Sequence, residues 1–301
     1  MNSPKNSKEI KNKGNKFFDF DINDFKILEK IGEGSFGQIY KVEDKNKKLF
    51  ALKKIILTSL NDIKKKEHEY EIIMDLQNQN EKINIVKVYG YSSKQLDPTT
   101  YVIYVIMELA TSDWEKEILK RQKEKKYYSE KELMTILSSL VDTFAQLQKQ
   151  NISHRDIKPQ NILTFSDFFN FKLADFGEAK ELMKGATNNK QTLKGTELYM
   201  SPILFQALRS KKVMKYINHN TYKSDVFSFG LCALFAATLT IESLYDVREM
   251  ESNVSIHIFL EKSLKKKYSF DVINIISQML DINETTRKDF IEIQKDLKSI
   301  G

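Results

Sequence analysis

The chain has 301 residues, enough for one large domain or two lobes with a substantial core. Its 41% hydrophobic and 30% charged residues fit a folded globular protein, and no apolar stretch reaches the length that spans a bilayer. One cysteine, Cys232, excludes a disulfide framework within the chain and suits a reducing cytosolic or nuclear setting.

The net charge of +7 is uneven. Residues 1–16 hold five Lys and one Glu, which places +4 there and leaves +3 for the remainder. Residues 1–20 read as a basic, solvated leader. No aromatic residue interleaves these lysines before Phe17, so there is no stacking platform for single strands. Neither nucleic acid nor membrane is expected as a partner.

From Phe25 to Ile31 the pattern alternates as a strand. A glycine-rich turn follows, then a second strand from Gln38 to Val42 and a third from Leu49 to Leu57. Asn61 to Gln77 reads as a helix capped by Asn61 or Asp62. Ile85 to Tyr91 and Tyr101 to Glu108 are β-rich, giving five strands and one helix. Beyond Trp114 the chain turns helical. Leu133, Ile136, Leu137, Leu140, Phe144 and Leu147 form a stripe at helical spacing. Tyr222 to Leu239 is apolar nearly all round and predicts a buried helix. Shorter helices fit Ser269–Leu280 and Asp289–Ser299.

Three groups of residues carry chemistry. Gly32-Glu33-Gly34-Ser35-Phe36-Gly37 matches a phosphate-approaching glycine loop, in which backbone amides meet phosphate with no Cβ in the way. Dinucleotide folds use the same letters, but there a helix follows; here the next segment is a strand. His154-Arg155-Asp156-Ile157-Lys158-Pro159-Gln160-Asn161 is followed, nineteen residues after Asp156, by Asp175-Phe176-Gly177. An Asp can accept a hydroxyl proton, a Lys can neutralise a moving phosphoryl group, and Asn with a second Asp can offer oxygen ligands to Mg²⁺.

These segments resemble the catalytic and metal-binding loops of the eukaryotic protein kinase superfamily, serine/threonine type. The resemblance runs from about Phe25 to Leu297. It implies an α+β bilobal fold: a β-rich N-lobe over about 21–107, a hinge over 108–112 and a helical C-lobe over 113–301. It implies ATP and Mg²⁺ as cofactors and a protein substrate with a Ser or Thr acceptor, with an upstream kinase as a further partner. Asp156 and Lys158 would be catalytic, and Asn161 and Asp175 would hold metal. The glycine loop, Ile39, Ala51, Lys53, Met107, Glu108, Ala110 and Leu163 would line the nucleotide site. Lys53 is preferred to Lys54 because Ala51 precedes it by two. Its helical partner is sought among Glu67, Glu69 and Glu71, and the apolar residues Ile72, Ile73 and Leu76 select Glu69. His154 is expected to be structural. Thr192 would be a regulatory phosphosite, with Arg155, Lys180 and Lys65 as its cations.

Three positions depart from the pattern. Glu178 follows Gly177 where an apolar residue is usual. Gln160 replaces a Glu found in some members. The family's Ala-Pro-Glu reads Ser201-Pro202-Ile203, so its usual Glu–Arg pair with the late Arg287 looks broken. Burying an unpaired Arg is costly. The expectation is a solvated Arg287, another carboxylate beside it, or a less stable lobe.

Overall fold

A computed structural model describes residues 20–34, 37–80, 83–165, 170–182, 188–191, 194–210 and 217–300. Residues 1–19, Ser35, Phe36 and Thr192 lie outside the described residues. The chain divides into two compact units. The first takes the chain up to Tyr70 and Val88–Glu108; the second takes Glu71–Lys87 and Leu109 onward.

The first unit is built on an antiparallel sheet of five strands: β1 (Phe25–Gly34), β2 (Gly37–Asp44), β3 (Leu49–Leu57), β4 (Val88–Gln95) and β5 (Tyr101–Met107), in the order β1-β2-β3-β5-β4. Alternation along β3 sends Phe50 and Leu52 to one face, where Val42, Ile106 and Phe20 complete a buried cluster. Edge-to-face contacts link Phe20 to Phe25, Phe25 to Phe50 and Phe50 to Tyr89 at 5.5, 5.8 and 5.3 Å. Phe20, counted with the leader in the sequence expectation, is therefore part of this core.

Helix α1 (Leu60–Gln79) opens earlier than expected. The Ser59 carbonyl accepts from the amides of Asp62 and Ile63, so neither Asn61 nor Asp62 caps it. The run 85–91 is not one strand either. Val86 N donates to the Leu173 carbonyl at 2.8 Å and Ile85 bridges Leu173, whereas the sheet strand begins at Val88. The β-branched run reads alike throughout, but its two ends pair with different partners.

The second unit is mainly helical. Short strands β6 (Ser112–Asp113), β7 (Ile152–Ser153), β8 (Ile162–Thr164), β9 (Phe171–Leu173), β10 (Lys180–Glu181), β11 (Asn188–Gln191) and β12 (Ile217–Asn220) fix its loops. The helices are α2 (Trp114–Glu124), α3 (Glu130–Lys149), α4 (Pro202–Arg209), α5 (Thr221–Thr238), α6 (Glu242–Arg248), α7 (Asn253–Leu264), α8 (Phe270–Met279) and α9 (Phe290–Ile300). Ser129 and Glu132 close a capping box at the start of α3. The predicted α3 stripe is buried in full. Helix α5 buries sixteen of its eighteen residues, as its all-round apolarity requires. Phe144 of α3 stacks on Phe290 of α9 at 4.5 Å and meets Phe229 of α5 at 5.1 Å. Among the described residues, no helix is long and apolar enough to cross a membrane.

Candidate active site

In the second unit, β7 leads into the loop 154–161, which ends in a 3-10 turn, Pro159–Asn161, before β8. The loop is pinned from beneath by Asp225, in the first turns of α5. Its Oδ2 accepts from Ser153 Oγ at 2.7 Å and His154 N at 2.8 Å, and its Oδ1 accepts from Arg155 N at 2.9 Å. Burial pushes this carboxyl up, although the three donors oppose the shift. Arg155 has φ +68°, in the left-handed region that most side chains avoid. The Asp225 bond helps hold it there. The sequence expectation did not single out Asp225; its signal is the single carboxylate in a largely apolar helix.

His154 Nε2 lies 3.1 Å from the Ala174 carbonyl, and its ring meets Phe176 edge-on at 5.1 Å. It thus joins the loop to the Asp175-Phe176-Gly177 segment as a packing group. Asp175 itself has φ +58°, a conformation Asp tolerates better than most residues.

Asp156, Lys158, Asn161 and Thr196 form a closed arrangement. Asp156 Oδ1 accepts from Thr196 N at 3.0 Å and Thr196 Oγ1 at 2.8 Å. Its Oδ2 accepts from Asn161 Nδ2 at 3.1 Å and pairs with Lys158 Nζ at 2.9 Å. Lys158 Nζ also donates to Thr196 Oγ1 at 2.8 Å. Asn161 Nδ2 donates as well to the Asp156 carbonyl at 2.8 Å. With the amide nitrogen engaged twice, the side-chain oxygen of Asn161 is the atom left for a cation. Asn161 and Asp175 each carry side-chain oxygens of the hard type that Mg²⁺ prefers. Gly195 delivers Thr196 to this arrangement. Its φ is +110°, and a Cβ would sit 3.0 Å from the Arg155 carbonyl oxygen.

Glu178, the unusual residue after Gly177, is mostly buried and pairs with Lys194 at 3.1 Å. It and Asp225 both favour charge on the Arg155 guanidinium, against burial, which lowers it. Lys180 is exposed on β10. Lys65 belongs to the first unit, is 77% exposed and pairs with Asp62 at 3.4 Å. Gln160 donates to Glu115 at 2.6 Å. Leu163 pairs with Lys172 across β8 and β9, and Ala110 is half-buried.

In the first unit, Gly37 has φ +132°, and a Cβ there would meet the Lys54 carbonyl oxygen at 2.2 Å, so only glycine fits. Gly34 pairs with Gly37, Glu33 with Gln38 and Gly32 with Ile39. Ile39 in turn stands opposite Lys53, and Ala51 opposite Met107. Lys53 is 8% exposed, unlike the half-buried Lys54. Glu69 accepts from Lys66 at 2.7 Å. Glu108, half-buried, raises the pKa of Tyr89, after burial of that phenol.

The sequence matches the model of the protein kinase domain over residues 25–297. The chain belongs to this family, and its kinship is with the serine/threonine type. It is 30% identical over 270 residues to the probable serine/threonine-protein kinase nek3 of Dictyostelium discoideum, covering 87% of this chain and 22% of that one. To the serine/threonine-protein kinase Nek2 of Mus musculus it is 25% identical over 283 residues, covering 90% of this chain and 59% of the relative. To the serine/threonine-protein kinase Aurora-2 of Arabidopsis thaliana it is 26% identical over 272 residues, 88% and 86% of the two chains. The chain thus spans less than two thirds of the first two relatives.

Proposed function

We propose that this chain transfers the γ-phosphoryl group of Mg-ATP to Ser or Thr hydroxyls of a protein. The observation that carries this reading is the closed arrangement of Asp156, Lys158, Asn161 and Thr196. Asp156 orients the acceptor hydroxyl and takes its proton. Lys158 stabilises charge on the phosphoryl group as it moves. Asn161 and Asp175 would hold Mg²⁺, which when bound would neutralise phosphate charge. Lys53, with Glu69, positions the α- and β-phosphates, and the glycine loop covers them. Ile39, Ala51, Met107, Glu108, Ala110 and Leu163 receive adenine. No covalent enzyme intermediate is required, since placement and electrostatics supply the catalysis.

Regulation by phosphate on Thr192 belongs to the same reading. Such a group adds about −1.5 to −2 charges and seeks cations. Arg155 and Lys180 are the cations proposed within the second unit, and an upstream kinase is the proposed donor.

The test is transfer of radiolabelled phosphate from ATP, with Mg²⁺, to a generic protein substrate, followed by phosphoamino-acid analysis. Label on Ser or Thr supports the reading. No label above that of an Asp156→Asn control overturns it.

A further inference from the structure

Arg248, the last residue of α6, reaches out of its helix to the 3-10 turn Glu197–Tyr199. Its Nε and Nη2 converge on the Leu198 carbonyl at 3.1 and 2.6 Å, and Nη2 also lies 3.3 Å from the Glu197 carbonyl. The guanidinium carbon lies 4.8 Å from the ring centre of Phe205 of α4 and 5.7 Å from that of Phe227 of α5. Three helices therefore meet the turn through one side chain. A rigid planar fork fixes its N–H groups toward two adjacent carbonyls with its face near the rings, an orientation that a flexible ammonium does not impose.

The turn is where Thr196 is set. Thr196 accepts from Tyr199 N at 2.9 Å, and Glu197 accepts from Met200 N at 3.2 Å. Immediately before the turn, Thr196 makes both of its bonds to Asp156 and receives Lys158. Releasing the Leu198 and Glu197 carbonyls leaves the turn free to unwind from its C-terminal side, and Thr196 then loses its fixed approach to Asp156.

We infer that Arg248 is a positioning residue for phosphoryl transfer, acting on the acceptor hydroxyl through Thr196 and Asp156 rather than on ATP. This rests on the kinase reading above. Nothing in the sequence spacing marks Arg248, which lies 92 residues beyond Asp156.

The experiment compares wild type, Arg248→Met, Arg248→Lys, Thr196→Ala and the Arg248→Lys/Thr196→Ala double variant. Peptide phosphorylation gives kcat and KM, a fluorescent nucleotide gives ATP affinity, and hydrogen exchange follows the peptide over 194–200. Both Arg248 variants should lose kcat by about ten-fold or more, because small misplacements at a reacting centre are costly. ATP affinity should stay within about two-fold, and exchange over 194–200 should quicken. The double variant should be no slower than Thr196→Ala alone, since both changes break one connection. Lys keeps the charge and tests the fork where Met fails to fold. Unchanged kcat in both Arg248 variants overturns the inference, as do losses that multiply in the double variant. A wild-type chain that transfers no phosphate overturns the kinase reading, and this inference with it.

Discussion

Asp156 accepts four bonds from three side chains and one backbone amide, so its carboxylate has a single orientation. Asp156→Asn keeps the shape but removes the proton acceptor. It should lower phosphoryl transfer by a factor on the order of 10² or more while ATP still binds. Asp175→Ala should also weaken the Mg²⁺ dependence of nucleotide binding, read by titrating the metal against a fluorescent nucleotide. Undiminished transfer by either variant, in a preparation free of other kinases, would remove both residues from the mechanism. At this scale the sequence was most informative where spacing is short. Asp156, Lys158 and Asn161 fall within six residues, and their contacts are local. Thr196, forty residues on, is brought to them by the fold, with Gly195 ahead of it. Asp225 offered a signal of its own but not its targets, and Arg248 offered none, because both act mainly on backbone amides or carbonyls, which carry no sequence letter.

Elements were legible where one period dominates. The α3 stripe and the all-round apolar α5 are such cases, because a single face, or every face, meets a core. Short strands such as β12 were not, since four residues cannot display a period. Yet β12 carries His219, which is buried, with Nδ1 2.8 Å from Ser224 Oγ. Burial lowers its pKa from the ordinary 6.5 to about 4, and the neighbouring cations Arg155 and Arg287 push the same way. Between those two values the unfolded chain binds the proton that the folded chain refuses. This group's contribution is therefore full above about pH 6.5 and declines as pH falls toward 4, by at most about 1.4 kcal/mol per unit. His219→Gln cannot titrate. Its melting temperature should fall less steeply than that of wild type between pH 7 and pH 5. Parallel slopes for the two proteins would mean that His219 takes up its proton in the folded state as readily as in water.

For the whole molecule, the informative departure is the missing Glu at Ile203. The sequence offered three outcomes for Arg287, and the structure takes a fourth. Arg287 is 1% exposed, and among the described residues it has no carboxylate at ion-pair distance. Instead Nε donates to the Asp281 carbonyl at 2.6 Å, Nη1 to Lys223 at 2.9 Å and Nη2 to Ile282 at 3.2 Å. Its guanidinium lies 4.9 Å from the centre of the Phe227 ring. Burial lowers its pKa to about 10, so it stays charged at neutral pH, with Glu284 and Asp281 supporting the charge from further off. Ile203, meanwhile, packs against Met200, Leu204 and Ile217. The ion pair has been exchanged for a cradle of carbonyls on one side and an apolar contact on the other.

Two substitutions test that exchange. Arg287→Met would leave up to three part-buried carbonyls without their donor, at about 1–3 kcal/mol for each that water cannot reach. The melting temperature should fall by several degrees. Arg287→Lys should fall too, since one ammonium cannot reach three divergent acceptors. Ile203→Glu should not rescue a pair. It would place a half-buried carboxylate against the cluster of Leu204 and Ile217 while the Arg287 donors remain engaged with backbone, so its partial desolvation is not offset. A rise in melting temperature for Ile203→Glu would show that Arg287 gives up its carbonyls for a carboxylate. A rise for Arg287→Met would show that water or relaxed backbone satisfies those carbonyls, and that the charge costs more than its cradle returns.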